Sequence, residues 1–151
     1  MSIRTLQPER LWKEFYEICQ IPHPSKKEEK MIAYLQEFGK RHNLETRTDA
    51  AGNVLICKPA TPGYENRKKV ILQSHMDMVC EKNNDTQHNF DTDPIQPYID
   101  GEWVKAKGTA LGADNGIGMA TELAILASND LKHPALECLF TVDEETGLTG
   151  A

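Results

Sequence analysis

The sequence predicts an α/β protein in which helices flank a layered, mixed sheet that is partly parallel. Segments with apolar residues at three- and four-residue spacing, typical of helices, alternate with short apolar runs typical of strands. Alternation of this kind is characteristic of layered α/β folds. The chain has 151 residues, enough for one domain with a substantial core.

The N-terminal third of the chain predicts two helices. Residues 7–20 carry one apolar stripe at helical spacing. Further on, Ser25 and Glu28 have the spacing of a capping box, which predicts that a second helix begins there. That helix should end near Asn43, because asparagine tolerates the left-handed conformation that terminates many helices.

The remainder predicts short strands and one long helix. Two continuous apolar runs predict buried strands, and an Asp-Gly pair predicts a hairpin turn. The predicted elements are strands at 47–48 and 54–57, buried strands at 70–73 and 136–142, a hairpin at 97–104 and a mostly apolar helix at 116–128.

Composition favours a soluble globular protein. Apolar residues make up 39%, charged residues 26%, and the formal net charge is −6, which argues against a general nucleic-acid or anionic-membrane surface. We expect neither a signal peptide nor a membrane span, since no apolar run approaches the roughly 20 residues that a span requires. The four cysteines form no CxxC pair, which favours reduced thiols in a cytoplasmic protein.

Three acidic clusters lie at the ends of predicted elements. His75 and Asp77 follow the first buried strand, Asp114 precedes the long helix, and residues 143–145 follow the last strand. Each cluster alone has an ordinary interpretation: a surface histidine beside a loop aspartate, a helix cap, and a solvated acidic turn. Together, in one α/β pattern, they favour a single hydrolytic metal site assembled from three loops.

The spacing within these clusters suggests different roles. Residues two apart in an extended segment point to the same side, so Asp77 could orient His75 as a metal ligand. Asp114 could bridge two cations. One of the adjacent Glu144 and Glu145 could bind metal while the other acts on a metal-bound water, whose pKa a zinc ion lowers to about 7.

The segments that carry these clusters resemble known metallopeptidases. Residues 70–82, 108–118 and 141–150 are similar to the co-catalytic zinc peptidases related to aminoacylase and glutamate carboxypeptidase. A closer resemblance is to the bacterial aminoacyl-histidine dipeptidases, also called Xaa-His dipeptidases, cytosolic non-specific dipeptidases or carnosinases. The branch-specific segments are 21–25, 58–63 and 93–106, so the resemblance covers essentially the whole chain.

The resemblance implies a role for each site residue. His75 would bind one zinc ion, Asp77 would orient it, and Asp114 would bridge two metal ions, with a cis peptide bond after it. Glu144 would be the general base and Glu145 a ligand of the second zinc ion. The implied cofactor is a pair of divalent metal ions, zinc first, with cobalt or manganese as alternatives.

The implied function is the metal-dependent hydrolysis of dipeptides, Xaa-His favoured, by a metal-bound water that Glu144 activates. The alternative is a related aminotripeptidase, carboxypeptidase or N-acyl amino acid deacylase with the same metal core. Family members are longer, with further ligands and an inserted second domain. We therefore expect residues 1–151 to be the N-terminal part of a catalytic domain, inactive or nearly so alone, and homodimeric when full length.

Two other interpretations stay open from the sequence. The polar segment 83–93 offers several oxygen ligands and could bind calcium, although its spacing is not that of an EF-hand. Alternatively, the chain could associate through exposed apolar patches. The histidines away from the clusters are not expected to be ligands: His23, His42, His88 and His133.

Overall fold

The protein, described by a computed structural model over residues 2–151, contains a four-stranded sheet, a two-stranded hairpin and three α-helices. A short 3-10 turn at Ile3–Thr5 precedes the first helix. In chain order the elements are α1 (Glu9–Cys19), α2 (Glu29–Arg41), β1 (Glu45–Thr48), β2 (Val54–Lys58), β3 (Val70–His75), β4 (Pro97–Asp100), β5 (Trp103–Ala106), α3 (Ala113–Ala127) and β6 (Leu136–Thr141).

The sheet confirms the predicted fold class. Its strand order is β1-β2-β6-β3. The β3 and β6 strands run parallel, whereas β1–β2 and β2–β6 are antiparallel, so the sheet is mixed and partly parallel. The β4 and β5 strands form the separate predicted hairpin, with Asp100 opposite Trp103.

The prediction of two buried strands is confirmed for β6 and wrong for most of β3. In β6, Cys138 and Phe140 are fully buried while Leu139 is only partly covered. In β3, Ile71 is 62% exposed. The reason is that β3 lies at one edge of the sheet, and successive side chains of a strand point to opposite faces, of which the core covers one.

The helices pack on the sheet and on each other. The α2 helix contacts β1 and β2, and α3 packs between β3 and α1. Glycine allows the close approach of α1 and α3, because a Cβ at Gly116 would lie 3.0 Å from Phe15 Cε2. The core between these elements includes the fully buried Phe15, Phe38, Met119 and Phe140.

The second helix is where the sequence predicts it, but its predicted capping box is wrong. The regular helix begins at Glu29, and Glu28 makes no side-chain cap hydrogen bond. Instead, the Ser25 hydroxyl donates to Asp77 Oδ2, and Glu28 Oε1 accepts from the Asp143 N–H. The predicted end of this helix is confirmed, with Asn43 at φ +53°.

Lys58 joins the end of β2 to the C-terminus of α3. Its ammonium group donates to the carbonyl oxygens of Ile125 at 3.0 Å, Leu126 at 2.9 Å and Ser128. The Ile125 carbonyl also accepts from the Ser128 N–H at 3.1 Å, and the carbonyl groups at a helix C-terminus attract a cation.

Replacing Lys58 with methionine should destabilise the fold by roughly 2 kcal/mol, because charge-assisted hydrogen bonds of this kind typically contribute about 1.5–3 kcal/mol. Urea unfolding followed by circular dichroism measures the effect. The exposed Lys68 provides the control, since Lys68→Met makes the same chemical change away from any helix end. Equal midpoints for the two variants would contradict the assigned role of Lys58.

Two further sequence expectations can be compared with the structure. In residues 2–151 no helix is both long and apolar enough to cross a membrane. All four cysteines are free thiols, and burial raises the pKa of both Cys19 and Cys138 to about 12.

Candidate metal centre

Two parallel strands bring the first and third acidic clusters to one edge of the sheet. The β3 and β6 strands are neighbours in register, with His75 opposite Thr141. Since parallel strands end at the same edge, the loop that follows β6 lies beside the end of β3. The start of α3, which packs against β3, adds the second cluster to the same place.

Three of the predicted site residues converge there. One ligand atom each of His75, Asp114 and Glu145 lies within 4.8 Å of the other two. His75 Nε2 is 3.0 Å from Asp114 Oδ1, and the His75 side chain is 7% exposed while that of Asp114 is 88% exposed. One imidazole and two carboxylates, buried on one side and open to solvent on the other, form a donor set that suits a divalent cation such as zinc.

The backbone around Asp114 has an unusual conformation. Gly112 has a φ of +73°, and the Asp114–Asn115 peptide bond is cis, as the resemblance implies. The alternative role of Asp114 as a helix cap is not observed, because Asn115 Oδ1 accepts from the Gly118 N–H at 3.1 Å instead. The Asp114 carboxylate therefore points toward His75 and stays free of the helix end.

Asp77 connects the histidine to the acidic loop. Its Oδ1 accepts from the Glu144 N–H at 3.0 Å and lies 3.3 Å from His75 Nδ1. Its Oδ2 accepts from the Glu145 N–H at 3.2 Å and from the Ser25 hydroxyl at 2.7 Å. Burial alone would raise the pKa of Asp77, but the hydrogen bonds from Ser25 and from the two glutamate N–H groups hold the pKa below its ordinary value.

His75 is surrounded by negative charge. Burial by itself lowers the pKa of His75, but Asp114, Asp77 and Glu144 together raise that pKa above its ordinary value. Nδ1 lies 3.1 Å from the Asp77 carbonyl oxygen and 3.3 Å from Asp77 Oδ1. Both oxygens are hydrogen-bond acceptors, so they favour a proton on Nδ1. That tautomer leaves the Nε2 lone pair directed at Asp114, where a cation would bind.

The two adjacent glutamates occupy different positions. Glu145 belongs to the group of three ligand atoms, whereas Glu144 does not. Glu144 Oε2 lies 3.8 Å from His75 Nε2, and the Glu144 side chain is 37% exposed. Burial, together with the negative charges of Asp114 and Glu144, raises the pKa of Glu145, as expected for a carboxylate that a cation would stabilise.

The third carboxylate of the loop points away from this group. Asp143 is buried, with a φ of +51°, and accepts from the hydroxyls of Thr146 and, at 2.5 Å, Thr149. These two hydrogen bonds lower the pKa of Asp143. Asp143 therefore stabilises the conformation of the loop. Of the three adjacent carboxylates in the loop, only those of Glu144 and Glu145 reach the site.

Two residues that support the site could not be recognised from the sequence. Ser25 and Glu28 were predicted to cap a helix, yet they bond Asp77 and the backbone of Asp143. Their three-residue spacing was visible in the sequence, but the same spacing also describes a capping box. The other four histidines lie outside the metal-ligating groups formed by the described residues, as predicted.

The segment proposed as a calcium site has other partners. Asp91 forms an ion pair with Lys27 at 2.7 Å, and Asp93 accepts from the Asn89 N–H at 2.8 Å. Within residues 2–151, segment 83–93 supplies no member of a metal-ligating group. The structure therefore gives the calcium hypothesis no support.

Known proteins resemble this chain in sequence and in fold. No family model matches the sequence. The chain is 58% identical over 150 residues to the cytosol non-specific dipeptidase of Escherichia coli K12, a match that covers 99% of this chain and 31% of that protein. The crystal structure of aminoacylhistidine dipeptidase from Vibrio alginolyticus matches with a TM-score of 0.98 and 59% identity, again over 99% of this chain and 31% of the other.

A more distant match is the crystal structure of a tripeptidase from Staphylococcus aureus. Its TM-score is 0.76 at 25% identity, over 96% of this chain and 39% of that one. The sequence and the fold thus resemble those of M20-family peptidases. Within that class, the comparisons confirm the predicted resemblance to the aminoacyl-histidine dipeptidases. The chain spans about a third of the length of these relatives.

Proposed function

We propose that the protein takes part in the metal-dependent hydrolysis of dipeptides, with Xaa-His dipeptides favoured. The observation that supports this proposal most directly is the convergence of His75, Asp114 and Glu145, with Glu144 beside them. The names of the two highly identical relatives, a cytosol non-specific dipeptidase and an aminoacylhistidine dipeptidase, agree with it.

The proposed cofactor is a pair of divalent metal ions, zinc first, with cobalt or manganese as alternatives. We propose His75 and Glu145 as ligands of different ions and Asp114 as the ligand shared between them. Bound divalent ions polarise a carbonyl group and lower the pKa of water. Three protein ligands are fewer than two zinc ions usually take, so further ligands from outside residues 1–151 belong to the same proposal.

The chain's own residues then divide the work. Asp77 holds the proton on His75 Nδ1, which keeps Nε2 available as a ligand atom. Glu144 Oε2 takes a proton from the attacking water and passes it to the amine nitrogen of the departing amino acid. The position of Glu144, next to the ligand group but outside it, suits a base that must stay free to exchange protons.

The same comparisons support proposals about the whole protein. We infer from the family resemblance that residues 1–151 correspond to the N-terminal part of a metallopeptidase catalytic domain, and the 31% share of each highly identical relative that the chain covers is compatible with this. We propose a cytoplasmic localisation on the basis of the relative named a cytosol non-specific dipeptidase. A homodimeric full-length protein is proposed from the family resemblance alone.

Native mass spectrometry combined with a hydrolysis assay tests the proposed function. Protein expressed from the complete gene should retain two divalent ions and hydrolyse β-alanyl-histidine, whereas residues 1–151 alone should turn it over far more slowly. Turnover of tripeptides or acyl amino acids without turnover of β-alanyl-histidine would favour the alternative class. The 0.76 TM-score to a tripeptidase, against 0.98 to the dipeptidase, makes the dipeptide the first substrate to test.

A further inference from the structure

Ser25, Glu28 and Asp77 form a hydrogen-bond network with the backbone of the acidic loop. The backbone N–H groups of three consecutive residues, 143 to 145, all donate to carboxylates from other elements. The Asp143 N–H donates to Glu28 Oε1 at 2.9 Å, and the next two N–H groups donate to Asp77 at 3.0 and 3.2 Å. Glu28 and Asp77 therefore fix the backbone of the loop that carries the Glu144 and Glu145 side chains.

Ser25, in the segment before α2, adds a further hydrogen bond to this network. Ser25 donates its hydroxyl proton to Asp77 Oδ2 at 2.7 Å, the oxygen that also accepts from the Glu145 N–H. This bond fixes the rotation of the carboxylate, and with it the contact of Oδ1 with His75 Nδ1 at 3.3 Å. Glu28 and Asp77 are both buried, so water cannot readily replace the bonds that they make.

We propose that Ser25 and Glu28 are positioning residues for the peptidase site, acting through Asp77 and through the Asp143 backbone. This inference rests on the proposed function. Ser25 fixes the orientation of the Asp77 carboxylate, which in turn orients His75. Glu28 fixes the backbone turn at Asp143, which determines the direction of the Glu144 and Glu145 side chains. Neither side chain contacts the substrate or a metal ion in this scheme.

Removing the Ser25 hydroxyl should loosen the ligand group without unfolding the protein. Loss of such an outer partner typically lowers metal affinity or activity roughly 10-fold to 100-fold. We expect Ser25→Ala to lower the affinity for Co²⁺, measured by titration calorimetry, by roughly 10-fold, and to shift the visible absorption bands of the Co²⁺-loaded protein. In the hydrolysis assay kcat should fall more than KM changes, and Ser25→Thr should restore the parent values.

Ser128 provides a matched control. It is buried and its hydroxyl donates to the Ala124 carbonyl at 2.6 Å, yet it lies at the far end of α3, about 20 Å along the helix from Asp114. Ser128→Ala should lower the thermal midpoint and leave the Co²⁺ affinity and spectrum unchanged. For Glu28, glutamine keeps an oxygen for the Asp143 N–H, so Glu28→Gln should bind Co²⁺ more tightly than Glu28→Ala.

The outcomes separate this inference from the proposed function. A parent protein, expressed from the complete gene, that neither binds Co²⁺ nor hydrolyses dipeptides would overturn the proposed function itself. A parent that does both, with Ser25→Ala unchanged in affinity, spectrum and kcat, would overturn only the positioning role. A lower thermal midpoint for Ser25→Ala with parent-like metal binding would reduce Ser25 to a structural contact, and would also count against the inference.

Discussion

Replacing Glu144 with glutamine is expected to lower kcat for β-alanyl-histidine by roughly 10²–10⁴-fold, the usual contribution of general acid–base catalysis, while the protein keeps its metal ions. The amide can neither take the proton from water nor return it to the leaving amine. Because Glu144 lies outside the group of ligand atoms, metal binding should be little affected. Steady-state kinetics and native mass spectrometry on the same preparation test both halves of the prediction.

The neighbouring glutamate provides the contrast. Glu145→Gln makes the same chemical change one residue further along, at a side chain inside the ligand group. That variant should lose metal, and its kcat should recover in part when the assay contains excess divalent ion. A Glu144→Gln protein with parent-like kcat, or one that loses its metal ions as Glu145→Gln does, would show that the proposed roles of the two residues are wrong.

The location of the site could be predicted because it depends on sheet topology. Two apolar runs that each end in acidic residues bring those residues together if the strands are parallel neighbours, as β3 and β6 are. The pair His75 and Asp77 followed from the two-residue period of an extended chain. The cis bond after Asp114 was implied by the resemblance and could not be obtained from spacing.

What the sequence could not supply were the long-range partners of polar residues. Ser25 and Glu28 satisfy a local rule, and only the folded chain shows that they bond residues 52 and 115 positions away. The prediction that β3 is buried was wrong for a related reason. A short apolar run does not reveal whether its strand is central or at an edge, and β3 is at an edge of the described sheet.

Glu122 is a further polar residue whose surroundings only the structure reveals. It lies in the mostly apolar α3 helix and is 3% exposed. Its Oε2 and the hydroxyl of nearby Ser74 have no hydrogen-bond partner among residues 2–151. Burial raises the pKa of Glu122 to about 8, so this carboxyl group is mostly protonated in the folded protein at neutral pH.

This raised pKa should make the fold less stable as the pH rises. Below the ordinary value of 4.5 both folded and unfolded chains hold the proton, so Glu122 has no effect. Between 4.5 and about 8 the folded chain holds a proton that the unfolded chain has released. The free energy of unfolding should therefore fall by about 1.4 kcal/mol per pH unit, and by several kcal/mol over the window.

Glu122→Gln should remove this dependence, since the amide is neutral at every pH and nearly the same size. The variant should match the parent near pH 4.5 and exceed it in free energy of unfolding by about 3–5 kcal/mol at pH 8. Urea unfolding at pH 5, 6, 7 and 8 gives both curves. Glu37→Gln, on the exposed face of α2, is the control and should follow the parent. If the free energy of unfolding of the parent and of Glu122→Gln changed with pH in parallel, the pKa of Glu122 would not be raised in the folded chain. A polar partner or water would then reach its buried oxygen.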